Sequence, residues 1–115
     1  MRILASIILV LACFAPAAAA IPGPDDAIAI SGIVQDRLKA TDINVRIVEE
    51  RPYAIAFWSG GKGYAAGEAL TKKEKSGWTI LKIASEKFTG ATLLALGVPD
   101  STAKALVADL DLANR

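Results

Sequence analysis

The chain has 115 residues and a formal net charge of +1, with one cysteine, one methionine and no histidine. That length suits one domain, and the near-neutral charge gives no electrostatic footprint for nucleic acid or for an anionic lipid surface. The missing histidine removes the commonest general base and the commonest metal ligand.

Residues 1–20 read as a signal peptide. Arg2 is a short basic start, residues 3–15 are an apolar run too short to span a bilayer, and Ala17, Ala18, Ala19 and Ala20 supply the small side chains of a cleavage site. Cleavage is predicted after Ala20 or Ala19. A lipid anchor at Cys13 is the rival, but Val10-Leu11-Ala12 makes a poor lipobox. Export to the periplasm or the medium follows, with residues 21–115 as a single small α+β domain and no stable membrane insertion. Losing Arg2 leaves twelve basic against twelve acidic residues, so the exported chain is formally neutral. Cys13 and Met1 leave with the signal, and no disulfide is then available.

Ile21-Pro22-Gly23-Pro24 is a stiff lead. Asp25 and Asp26 fit as N-cap and first-turn acids of a helix. Ala27, Ile30, Ile33, Val34 and Leu38 continue it with helical spacing to about residue 39. Gly32 costs that helix roughly 1 kcal/mol against alanine, or marks tight packing on a sheet. Ile43, Val45 and Ile47 alternate with Asn44, Arg46 and Val48, as in a half-buried strand, and Glu49-Glu50-Arg51-Pro52 closes it. Tyr53, Ile55 and Phe57 alternate with Ala54, Ala56 and Trp58. Both sets are apolar, so this strand is expected to be covered on two sides.

A glycine loop, Ser59-Gly60-Gly61-Lys62-Gly63, leads to a strand over residues 64–73. Within that strand Gly67 signals a bulge or the close approach of another backbone. Ser76-Gly77 is a hairpin turn, and residues 78–83 return. Thr89 caps a short leucine-rich helix that Gly97 and Pro99 end. Asp100 or Ser101 caps a last helix with Ala103, Leu106, Val107 and Leu110 on one stripe. The predicted fold is an N-terminal helix, a four-stranded antiparallel meander and two short C-terminal helices around a single core.

Three stretches carry a family resemblance: AIAFW at 54–58, GEAL at 67–70 and LLALGVPDSTAKALV at 93–107. Over about residues 43–110 the chain resembles small exported bacterial proteins of the copper-uptake-system-associated type, found in proteobacteria and cyanobacteria. The resemblance implies a cell-envelope location and a link to copper uptake. The motifs read as turn and packing signatures, and none is catalytic. Members usually carry a Q-G-acid-x-G-G turn after the tryptophan, and here Trp58 is followed by a longer loop without the acid.

Without Cys, His or Met after export, direct copper chaperoning lacks its ligands. Carboxylates such as Asp25, Asp26, Glu49 and Glu50 would hold a hard cation only weakly, so no metal or other cofactor is expected. Ser59, Ser85 and Ser101 have no histidine to activate them. The glycine loop lacks the Walker spacing, and Trp58 and Trp78 fit core anchors better than stacking platforms. The expected function is therefore a non-enzymatic accessory or binding module of the envelope, tied to metal uptake through an unidentified envelope protein. The alternative is an inhibitor or sensor domain that caps another envelope protein. Lys62, Tyr64 and Glu68 are the candidate partner-binding residues, with Glu68 otherwise a solvent-side strand residue.

Overall fold

The computed structural model describes residues 22–40, 43–60 and 65–113. Helix α1 (Pro24–Leu38) precedes strands β1 (Arg46–Glu50), β2 (Tyr53–Trp58), β3 (Gly67–Glu74) and β4 (Gly77–Ala84), and helices α2 (Gly90–Ala95) and α3 (Asp100–Ala113) follow. The strands pair antiparallel in the order β1-β2-β3-β4. This is the expected α+β fold. The predicted signal segment 1–20 lies outside the described residues. Among the described residues no helix is long and apolar enough to cross a membrane.

All six residues of β2 are buried. Their alternation splits the apolar interior into two layers. Tyr53, Ile55 and Phe57 join Val48, Leu70, Leu93, Leu106 and Leu110 beneath α2 and α3. Ala54, Ala56 and Trp58 join Ile30, Val34, Ala69 and Trp78 beneath α1. The anticipated single core is thus divided by the sheet. The alanines on the α1 side leave room for Ile30 and Val34, which are fully buried there. Burying each such side chain contributes about 1.5–3 kcal/mol relative to leaving it in water.

Several boundaries differ from the sequence expectation. Gly23, not Asp25, is the N-cap of α1, and Pro24 opens the helix, where its missing N–H costs nothing. Asp25 and Asp26 both fall in the first turn. Gly32 is exposed, and a Cβ there would meet nothing within 4 Å, so it marks no tight packing on the sheet. Strand β1 starts at Arg46 and runs through Glu49 and Glu50, which pair with Ala54 and Tyr53; only Arg51 and Pro52 form the turn. Val48 points beneath α3 and is buried, so this side of β1 is not simply polar.

Strand β3 begins at Gly67, paired with Trp58, and the sheet irregularity sits further along. Leu70 pairs with Lys82 and Thr71 with Ile80, so Leu81 is an extra residue bulged from β4. Thr89 caps α2 as expected, its Oγ1 accepting from the Thr92 N–H at 3.2 Å. Gly97 takes φ +98°, a conformation that favours glycine, just past the end of α2. Helix α3 starts one residue earlier than a cap at Asp100 requires. Asp100 is its first residue, and the Pro99 carbonyl accepts from the Ala103 N–H at 2.8 Å.

Candidate functional site

The register sets one row of side chains across the sheet on the face shared with α2 and α3. Arg46 pairs with Phe57, Phe57 with Glu68, and Glu68 with Ala84. The row lies at the end of the sheet where β2 leaves and β3 enters. There the segment after β4 closes over it, and the result is a cleft of about 320 Å³ lined by Arg46, Phe57, Glu68, Ser59, Ser85 and Lys87, among others.

Each charged group in this row is held by a specific neighbour. The Arg46 guanidinium lies over the Phe57 ring at 5.2 Å, and its Nη2 donates to the Ala113 carbonyl at 2.8 Å. That carbonyl belongs to the C-terminal end of α3, where a cation also complements the helix dipole. Glu68 is only 6% exposed, so it does not face solvent from the strand surface. Its Oε1 accepts from the Phe88 backbone N–H at 2.9 Å. Burial pushes the Glu68 carboxyl above the ordinary glutamate range, while the Phe88 N–H and the Lys87 ammonium pull it back down.

Glu68 therefore sits where the sequence allowed a site acid. The structure adds Arg46, Phe57, Ser85 and Lys87 around it, none of which stood out in the sequence as a partner-binding residue. The pairing register is what assembles them, and register is fixed by the whole sheet. Lys62 and Tyr64 lie outside the described residues.

The tryptophans are anchors. Trp58 Nε1 donates to the Ala65 carbonyl at 3.0 Å, and Trp78 Nε1 donates to Asp26 Oδ1 at 3.2 Å, with both residues buried. Asp26 belongs to a second polar group on the α1 face. Arg51 Nη2 donates to Asp26 Oδ2 at 2.7 Å, and Arg51 Nε donates to Glu49 Oε2 at 3.0 Å. Arg51 holds Asp26 below the usual aspartate range, against burial. Burial raises Glu49, with Arg51 opposing. This network ties the start of α1 to the β1–β2 turn. Among the described residues no group of three or more His, Cys, Asp or Glu is placed to hold a metal.

No protein-family model, curated protein or solved structure matches the chain.

Proposed function

We propose that this chain is an exported, non-enzymatic accessory module of the cell envelope that binds a protein partner through the Arg46–Phe57–Glu68 cleft. The carrying observation is the composition of the cleft: a ring flanked by a guanidinium and a buried carboxylate, with Lys87, Ser59 and Ser85 at its rim. Such a surface offers donors and acceptors of both signs to a polypeptide segment. It holds no histidine to activate Ser59 or Ser85. The resemblance to copper-uptake-associated proteins names metal uptake as the process. In this reading the metal stays with the partner, because the exported chain lacks soft ligands.

The rival reading, an inhibitor or sensor docked by a sheet edge, is less well served. Strand addition needs a regular edge. The β4 edge carries the Leu81 bulge, and the β1 edge is only five residues long.

The test is site-specific photocrosslinking in the native envelope. A crosslinker at Ser59 or Ser85 is expected to capture one defined protein, and the same group at Ser101, an exposed residue of α3, is expected to capture none. Equal labelling from all three positions, or stoichiometric Cu(I) binding by the purified chain, would contradict the proposal.

A further inference from the structure

The seam between β1 and α3 holds two acids that face each other. Register puts Glu50 on the same side of the sheet as Val48 and Arg46, beneath α3. Asp109 stands on α3 next to Leu110, whose side chain is buried in the same layer. The Glu50 and Asp109 carboxyl groups are within hydrogen-bonding reach of each other. Asp109 Oδ2 is buried and has no hydrogen-bond donor. Two ionised carboxylates only accept, so this oxygen stays unsatisfied, and an unsatisfied buried acceptor costs about 1–3 kcal/mol. A proton on Glu50 turns that carboxyl into the missing donor.

We propose that a proton on Glu50, donated to the unsatisfied Asp109 carboxylate, is a pH-sensitive latch that fastens α3 to the edge strand β1.

The surroundings favour the proton on Glu50. On β1 the neighbouring charges are Glu49, which raises Glu50 further, and Arg51, which is committed to Glu49 and Asp26 on the opposite face. Across the ladder Glu50 meets Tyr53, and the Lys72 ammonium lies over that ring at 5.5 Å. On α3, Lys104 is paired with Asp100 at 3.2 Å. Arg46, at the far end of β1, is bonded to the Ala113 carbonyl. Among the described residues no cation is thus placed to neutralise the pair. Burial first, and the Asp109 carboxyl second, push Glu50 up to about 7.

The sign of the pH effect follows. The folded state holds this proton more tightly than the unfolded chain does. The contribution is complete below the ordinary glutamate range, fades as pH rises towards about 7, and is absent above it. Above neutrality two like charges face each other across the seam. The other fastening of the same seam is Arg46 to Ala113, and Arg46 lines the cleft. A loosened α3 releases that guanidinium, so the proton at one end of β1 reaches the cleft at the other.

Two measurements on the full exported chain test the latch. A carbon-detected NMR titration should give Glu50 a midpoint near 7, against 4.5 for an ordinary glutamate. In Glu50→Gln the amide N–H₂ supplies a permanent donor. At pH 8 the amide protons of α3 should then exchange roughly tenfold more slowly than in the wild type, and the two proteins should converge at pH 5. A Glu50 midpoint near 4.5 overturns the proposal. So does α3 exchange that is the same in both proteins at pH 8, or a Glu50→Gln chain that does not fold.

Discussion

Gly67 stands directly against the Trp58 ring. A Cβ on Gly67 would lie 2.8 Å from Trp58 Cζ2 and 2.9 Å from the Ala84 carbonyl oxygen. One of these neighbours is a buried ring held by its bond to Ala65, and the other is backbone of the adjacent strand. Neither can move cheaply. The sequence allowed either a bulge or a close approach at this glycine, and the close approach is what occurs.

Gly67→Ala is therefore expected to destabilise the protein by about 1–3 kcal/mol, the usual cost of overpacking. The midpoint of a urea transition followed by tryptophan fluorescence reads this directly. A change below about 0.5 kcal/mol would mean that Trp58 gives way, and the β2–β3 entry to the cleft would be softer than described.

Gly32 is the opposite case. It lies inside α1 with open space where a Cβ would go. Gly32→Ala should raise stability by about 0.5–1 kcal/mol, because alanine loses less backbone freedom in a helix. A higher thermal midpoint with unchanged far-ultraviolet dichroism is the expected result. Destabilisation would show that this face of α1 has a neighbour.

Legibility in the sequence follows the range of the interaction. The order of elements came from local patterns: the alternation of β2, the Thr89 cap and the Gly97 stop depend on residues within a few positions. The acids were harder. Glu49 and Glu50 read as part of a strand ending because Pro52, just beyond them, cannot donate to a ladder. Both stay in the ladder, paired with Ala54 and Tyr53, with Arg51 bonded to Glu49 and Asp109 of α3 facing Glu50. Glu68 reads first as a solvent-side strand residue, since its partner is the Phe88 N–H, twenty residues away. Asp25 looked like a cap until Pro24 was seen to start the helix. The cleft was invisible for the same reason: Arg46, Phe57 and Glu68 become neighbours only through the register of three strands.

The most direct test of the proposed binding cleft is the affinity of the crosslinked partner for two variants of its lining. Glu68→Gln retains an acceptor for the Phe88 N–H but removes the charge, and Lys87→Ala truncates an exposed side chain. Both should fold with stability close to the wild type, within about 1 kcal/mol. At least one should raise the Kd tenfold or more, about 1.4 kcal/mol of binding free energy. Unchanged Kd values for both variants, measured by calorimetry on folded protein, would contradict the assignment of the Arg46–Phe57–Glu68 cleft as the binding surface.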